Sequence, residues 1–119
     1  MRIGLIGSEN YHAQAYGKAL NIDQRFPGSS ITHLWGESEE SATKIAGEFQ
    51  IPTIVKDSKE MLGEVDTIII DTRDGANHVS MVTPFLGHLP RIFIDKPLAA
   101  DVEEAEAFLQ AAEAAGTQI

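Results

Sequence analysis

Residues 3–12, Ile-Gly-Leu-Ile-Gly-Ser-Glu-Asn-Tyr-His, decide the fold, because a short apolar run passes through a glycine straight into a helical pattern. The apolar run predicts a strand over Ile3–Ile6. Apolar residues at helical spacing then predict a helix over Tyr11–Ile22. A strand that turns through a glycine into a helix is the first half of a unit in which a helix joins two parallel strands.

The same alternation of apolar runs and amphipathic stretches continues along the chain. It predicts strands over Ile31–Trp35, Thr53–Val55, Thr67–Ile70 and Ile92–Ile94, and helices over Ser38–Phe49, Asp57–Leu62 and Asn77–Phe85. With right-handed crossovers, this order predicts an α/β fold, a doubly wound parallel sheet in a three-layer α/β/α arrangement. The fourth and fifth strands are continuously apolar, which predicts that helices cover both of their faces. Ligands are expected at the carboxyl ends of the strands.

The last helix carries the most complete set of end signals. Asp101 and Glu104 predict a capping box at its start, and Gly116 predicts its end. Residues 117–119 then begin a further strand, so we expect the native protein to continue beyond them. The predicted buried stripe of this helix is Val102, Ala105, Leu109 and Ala112.

Composition excludes several classes of function. The 119 residues contain no Cys, which excludes thiol catalysis, Cys-ligated zinc and disulfides, and neither His33 nor His88 has a partner at metal-ligand spacing. A formal net charge of -9 disfavours nucleic acid and anionic membrane surfaces as partners. The sequence has no signal-peptide core and no membrane span, so we expect one cytoplasmic domain.

The loop over Gly7–His12 lies where dinucleotide-binding folds carry Gly-x-Gly-x-x-Gly. Only the first glycine is present, since Glu9 replaces the second and His12 the third. The following helix still offers free N–H groups, so a diphosphate could bind if Glu9 turns outward. His12 is equally explained as a polar residue of the first helical turn. The candidate cofactor contacts in this loop are Gly7, Ser8, Asn10, Tyr11 and His12.

An acidic residue, Glu37, follows the second strand at the place where the adenosine ribose of a dinucleotide would lie. Its carboxylate could accept hydrogen bonds from both ribose hydroxyls. Together with Glu39 and Glu40 it would repel a 2'-phosphate, which predicts NAD and disfavours NADP. The three glutamates could instead favour the start of the next helix.

The polar segment after the fourth strand, residues 71–78, lies at the level of the nicotinamide end of such a cofactor. Thr72 and Arg73 are candidate cofactor contacts there. Asp74 and Gly75 also form a good turn, and Asn77 could cap the next helix, so part of the segment has a structural explanation.

Residues 92–99, Ile-Phe-Ile-Asp-Lys-Pro-Leu-Ala, resemble the strand-five signature of the Gfo/Idh/MocA oxidoreductases, commonly written Glu-Lys-Pro. Further similar stretches are Arg2–Gly7, Ser41–Pro52 and Val65–Thr72. The resemblance spans residues 1–119 but covers only the family's amino-terminal, Rossmann-type NAD-binding domain. Full-length members add a second domain that lines the substrate pocket and usually forms the oligomer contact.

The resemblance implies roles for the residues at the end of the fifth strand. Lys96 corresponds to the family lysine that contacts substrate and cofactor, and Pro97 to the proline that fixes the turn, often through a cis peptide. Asp95, Lys96 and Pro97 are therefore candidate cofactor contacts, and Lys96 is a catalytic candidate whose ammonium can polarise a developing alkoxide. His78 aligns with a family histidine, across a loop one residue longer, and is the second catalytic candidate. Lys96 could otherwise be a surface cation.

Three hypotheses of function remain. The first is the cofactor domain of an NAD-dependent oxidoreductase acting on a hydroxyl of a sugar, cyclitol or similar polar metabolite, homo-oligomeric at full length and inactive as these residues alone. The second is a family member that has lost redox chemistry and binds a nucleotide or metabolite, motivated by Glu9 and His12. The third is a phosphoacceptor receiver domain, but Asp71 follows the fourth predicted strand, whereas a receiver needs its acceptor at the third.

Overall fold

Five parallel strands form the centre of the molecule in the computed structural model, which describes residues 1–119. The strands are β1 (Arg2–Ile6), β2 (Ser30–Trp35), β3 (Thr53–Ile54), β4 (Thr67–Ile70) and β5 (Ile92–Ile94). Their order across the sheet is β3-β2-β1-β4-β5, and every neighbouring pair is parallel. The chain therefore winds outward from β1 in both directions, which confirms the predicted doubly wound, Rossmann-type α/β fold.

Four α-helices and several shorter turns connect the strands. The helices are α1 (Tyr11–Gly17), α2 (Glu39–Glu48), α3 (His78–Val82) and α4 (Val102–Ala115). A π-helical turn over Lys18–Ile22 extends α1 to the predicted end, and 3-10 segments lie over Ser58–Met61, Gly75–Asn77 and Thr83–Phe85. None of the helices is long and apolar enough to cross a membrane.

The hydrophobic core lies on both faces of the sheet. Alternation along β1 directs Ile3 and Leu5 into the cluster that contains α1 and α2, and Ile6 into the cluster that contains α3 and α4. The predicted inward face of α2, which includes Ile45 and Phe49, is buried. Helices thus lie on both faces of the sheet, as the three-layer prediction requires.

The predicted coverage of β4 and β5 is wrong on one face. Phe93 of β5 is 53% exposed, and Ile69 of β4 is only half-buried. The cluster containing α1 and α2 is built mainly on β1 and β2. Tyr16 of α1 approaches this face of β5, with its ring 6.1 Å from the Phe93 ring. An apolar strand at a sheet edge therefore does not require a helix on both sides.

The predicted stripe of α4 is wrong at two of its four positions. Val102 is 73% exposed and Leu109 is 44% exposed, whereas Phe108 and Ala112 are buried. Because α4 packs against α3, the tertiary contact determines which side of the helix faces the core. The larger ring of Phe108 takes the place predicted for Leu109.

The ends of α4 lie where the sequence predicted them. The Asp101 carboxylate accepts a hydrogen bond from the Glu104 N–H at 3.0 Å, but the reciprocal bond of the predicted capping box is absent. Gly116 ends the helix with a φ of 72°. The chain then returns to the sheet, where Gln118 forms a parallel bridge with Arg91. This bridge fits the predicted start of a further strand.

Candidate functional site

The carboxyl ends of β1, β2, β4 and β5 bring most of the predicted site residues to one edge of the sheet. The parallel register makes this edge the place where all four following loops begin. Hydrogen bonds join these loops in pairs, through Ser8 and Glu37, Glu37 and Arg73, His12 and Asp95, and His78 and Pro97.

Glu37 connects the loops after β1, β2 and β4. One of its carboxylate oxygens accepts hydrogen bonds from the Ser8 N–H at 2.8 Å and the Ser8 hydroxyl at 3.1 Å. The other oxygen accepts from the Arg73 N–H at 3.2 Å. Two backbone N–H groups from different loops therefore already hold an anionic group.

His12 and Asp95 form a pair between α1 and the end of β5. The Nδ1 atom of His12 lies 2.5 Å from Oδ2 of Asp95, whose side chain is 11% exposed. Burial alone would raise the pKa of Asp95, but hydrogen bonds from His12 and the Lys96 N–H, with the charges of both residues, hold it below its ordinary value. With Nδ1 bonded to the carboxylate, the ring orientation is fixed and Nε2 is left for other partners.

His78, the second catalytic candidate of the sequence, lies inside the protein. The residue is 1% exposed, with Nδ1 2.8 Å from the Pro97 carbonyl oxygen and Nε2 3.2 Å from the Thr72 carbonyl oxygen. Both ring nitrogens face backbone carbonyl oxygens, and the N–H of a neutral imidazole can donate to one of them at a time. This placement fits a positioning residue that holds the loop after β4 against the loop after β5.

The Lys96–Pro97 turn lies at the surface of this edge. Both residues are exposed, and the bond between them is cis, as in the family turn that the sequence resembles. Gly75 packs against the proline so closely that a Cβ at position 75 would lie 2.5 Å from Pro97 Cδ. His78 and Gly75 together thus position the turn from the loop after β4.

Two residues of the predicted set lie at the margin of the site. Tyr11 is 74% exposed, and its ring lies 6.4 Å from the His12 ring. The Asn10 side chain accepts from the His12 N–H at 3.4 Å and caps α1. Both residues therefore have structural explanations at the start of the helix.

The structure adds a residue, Asp71, that was absent from the predicted set. Asp71 directly follows β4, is 0% exposed, and has no hydrogen-bond partner for either carboxylate oxygen. Burial, followed by the negative charges of Glu37 and Asp95, raises its pKa to about 7, against the opposing effect of His12. The sequence signal was a lone acid ending an apolar strand.

Gly7 and Asp71 pack directly on each other. A Cβ at position 7 would overlap the Oδ1 atom of Asp71 and lie 2.9 Å from the Thr72 N atom. Gly7 also has a φ of 129°, a conformation that only glycine adopts readily. Glycine at position 7 is therefore required by the close packing of the first loop on the end of β4 and by the tight turn that the first glycine of the dinucleotide fingerprint supplies.

The residues at this edge fit the dinucleotide that the sequence resemblance implies. Gly7 makes the tight turn of the first loop, and the N–H groups of Ser8 and Arg73 hold a carboxylate. Glu9, which replaces the second glycine, is exposed and forms no ion pair. Beside Glu37, a cavity of about 430 Å³ is lined partly by Ile54 and other apolar side chains, which suits a base ring.

Comparisons with known proteins agree with the fold. The profile of the Gfo/Idh/MocA oxidoreductase family, described as an NAD-binding Rossmann fold, matches residues 1–119. No curated protein sequence matches the chain.

Three solved structures illustrate the similarity. UDP-N-acetylglucosamine 3-dehydrogenase GnnA from Acidithiobacillus ferrooxidans is 26% identical, with a TM-score of 0.77, and the match covers 98% of this chain and 36% of that one. An NAD binding oxidoreductase from Klebsiella pneumoniae is 25% identical, with a TM-score of 0.82 and coverage of 99% and 33%. Biliverdin reductase from Synechocystis sp. PCC 6803, solved with biliverdin and NADP+, is 22% identical, with a TM-score of 0.83 and coverage of 98% and 36%, and shares the fold alone. The chain thus spans about a third of the length of these structures.

Proposed function

Since the chain belongs to the Gfo/Idh/MocA oxidoreductase family, we propose that residues 1–119 are the NAD-binding domain of a dehydrogenase, with the cofactor at the carboxyl edge of the sheet. The observation that carries this proposal is the bonding of Glu37 to the N–H groups of Ser8 and Arg73. A nucleotide anion can take these donors when the Glu37 side chain turns toward a ribose. Glu37 would thereby move from the N–H groups of the first loop to the hydroxyls of the predicted ribose.

Lys96 is the proposed catalytic residue of the reaction. Bound NAD would accept the hydride of the oxidised carbon, and the hydroxyl proton would pass to a base outside residues 1–119 or to solvent. The exposed Lys96 ammonium would stabilise the alkoxide that forms. His12 would contact the cofactor while Asp95 holds its ring, and the buried His78 would position the Lys96–Pro97 turn.

The proposed substrate is a sugar, a cyclitol or a similar polar metabolite. The similarity to a dehydrogenase named for UDP-N-acetylglucosamine supports a sugar. Because the similar structures are about three times as long as this chain, the remaining substrate contacts would come from a second domain, which would also form a homo-oligomer.

NAD is the proposed cofactor in preference to NADP. In the proposed site the carboxylate of Glu37 would lie where a 2'-phosphate approaches, and Glu39 follows at the start of α2. Two negative groups at this position repel a third. The charge at Glu37 is therefore the proposed determinant of cofactor choice.

Titration of the purified protein with NADH and NADPH, followed by nucleotide fluorescence, tests both proposals. We expect saturable binding of NADH and at least tenfold weaker binding of NADPH. Glu37→Gln should reduce this preference, because the variant removes the repulsion and keeps the shape. Glu48→Gln on the exposed face of α2 is the matched control and should leave both affinities unchanged. Absence of NADH binding by the folded protein would contradict a cofactor role.

The second candidate function is a family member without redox chemistry. The observation that favours it is the first loop, in which Glu9 and His12 stand in place of two glycines while Glu37 occupies the Ser8 N–H. Glu9→Gly tests this alternative, with Glu9→Gln as the control that removes only the charge. If NADH binds to Glu9→Gly but not to the unmodified protein, the first loop no longer binds the cofactor, which supports the member without redox chemistry. Equal binding by both proteins supports the dehydrogenase.

A further inference from the structure

Asp71 is the one residue whose buried side-chain oxygens have no hydrogen-bond partner. It lies at the end of β4, beneath the first loop, with Oδ1 against the Gly7 backbone. An ionised carboxylate without donors is costly at 0% exposure, so the surroundings favour the neutral acid. None of the roles proposed above uses this group.

The charged groups that act on Asp71 come from the loops after β2 and β5 and from α1. Glu37 after β2 and Asp95 after β5 are negative, and His12 on α1 opposes them when it is protonated. Tyr16 also lies on α1. Burial, followed by the negative charges of Asp95 and Asp71, raises the pKa of its hydroxyl. Asp71 is thus enclosed by acids and has a single counter-charge.

We propose that Asp71 is a further residue of the dinucleotide site and that it must carry a proton when the dinucleotide binds. This inference rests on the proposed NAD site. A diphosphate bound to the first loop would add negative charge close to Gly7, against whose backbone the Asp71 carboxyl group packs. The neutral acid avoids that repulsion, and its O–H can donate a hydrogen bond, which the carboxylate cannot do. A molecule with ionised Asp71 would therefore take one proton from solvent onto the carboxylate as it binds.

The pH dependence of NADH affinity tests the proposal. In the unmodified protein, affinity should fall up to about tenfold for each pH unit once Asp71 is ionised, because one proton is bound with each nucleotide. Asp71→Asn is permanently neutral and of similar shape. Its affinity for NADH should therefore stay, at every pH, near the value that the unmodified protein has at low pH. Glu48→Gln should retain the slope of the unmodified protein. Equal slopes in the unmodified protein and Asp71→Asn would overturn the proposal.

His12 needs its own control, because a protonated imidazole also attracts a diphosphate. In His12→Gln the counter-charge to Asp71 is lost, so the fall in affinity should persist and move to higher pH. If His12→Gln abolishes the fall, the histidine is its source and the proposal is overturned.

Proton uptake can also be measured without any variant. Calorimetric titration with NADH in two buffers of different ionisation enthalpy should show uptake of part of a proton just above neutral pH, and Asp71→Asn should show none. No uptake by the unmodified protein would overturn the proposal while NAD binding stands. Failure of NADH to bind at any pH would overturn the proposed function and, with it, this inference.

Discussion

The two edges of the sheet use polar groups in opposite ways. The larger cavity, about 530 Å³, lies at the amino edge beside the starts of β2 and β3. There the Asn21 amide donates to the carbonyl oxygens of Ile31 and Phe49 at 2.9 and 3.0 Å, and its oxygen accepts from the Ile31 N–H at 2.8 Å. At the carboxyl edge, by contrast, Asp71 is buried with both oxygens unpaired.

This contrast shows that volume alone does not locate the site. Asn21 is fully used in joining the end of the first helical segment to β2 and α2, so its amide is not free for a ligand in the amino-edge cavity. The carboxyl edge keeps a close backbone approach at Gly7 and a buried acid without a donor. Local departures from the best packing and pairing are typical of functional edges.

The largest expected effect comes from filling the close contact at the carboxyl edge. Gly7→Ala should destabilise the protein on the order of 4 kcal/mol, because the new Cβ overlaps Asp71 and the φ of 129° is strained for alanine. Urea denaturation measures the change. Gly28 at the amino edge also has a positive φ, 84°, but has no neighbouring atom within 4 Å. Gly28→Ala should therefore cost only about 1 kcal/mol, and equal losses would contradict the assigned contact.

The next effect is a pH-dependent gain in stability. The pKa of Asp71 rises from 3.8 to about 7 on folding, so its favourable contribution is complete below about pH 4 and is lost as the pH rises toward 7. Asp71→Asn avoids that loss and should be more stable than the unmodified protein at pH 8, on the order of 3 kcal/mol. The difference should shrink at pH 4, as measured by denaturation at both pH values.

Asp66 is the control for the predicted gain in stability of Asp71→Asn at pH 8. The hydrogen bond from Arg2 lowers the pKa of Asp66, so its contribution is present at neutral pH and is lost on acidification. Asp66→Asn should therefore gain no stability at pH 8. A similar gain in both variants would show that the effect comes from net charge and not from the burial of Asp71.

At the amino edge, removal of a fully paired group should lower the stability of the protein at every pH, whereas Asp71→Asn raises it at pH 8. Asn21→Ala should destabilise the protein by about 2 kcal/mol, because it leaves the Ile31 and Phe49 backbone groups without their partner. The measurement is urea denaturation at pH 6 and pH 8. A loss that appeared at only one of these pH values would break the comparison between the two edges.

The smallest expected effect is a local change in ionisation at the carboxyl edge. His12→Leu should raise the pKa of Asp95, because the carboxylate loses both the hydrogen bond and the charge of the imidazole. Carbon-detected NMR titration of the carboxyl groups measures this shift, with Asp66 as an internal reference that should not move. An unchanged Asp95 titration would mean that the 2.5 Å contact does not persist in solution.

Much of the fold could be predicted from local patterns, because strand and helix periods are properties of neighbouring residues. All five strands and the ends of α4 follow from them. The predicted burial of Val102 and Leu109 on α4 is wrong, and so is the predicted coverage of Phe93. Those positions depend on which helix packs against which strand.

The candidate site was predictable as a set of loops but not as a set of contacts. The sequence placed Glu37 and Lys96 at strand ends, and the structure brings both to the carboxyl edge. It did not predict that Glu37 bonds to Ser8, 29 positions away, or that His12 pairs with Asp95, 83 positions away. Partners so distant along the chain leave no local pattern.

The sequence by itself determined the order of strands and helices, the glycine turn at Gly7 and the signature at Lys96, because each depends on adjacent residues. Only the tertiary structure decided that His78 is enclosed between two carbonyl oxygens and that Asp71 is buried without a donor. The physical reason is that solvation and hydrogen bonding are set by every group that surrounds a side chain. Those groups come from separate loops that meet only when the sheet has formed.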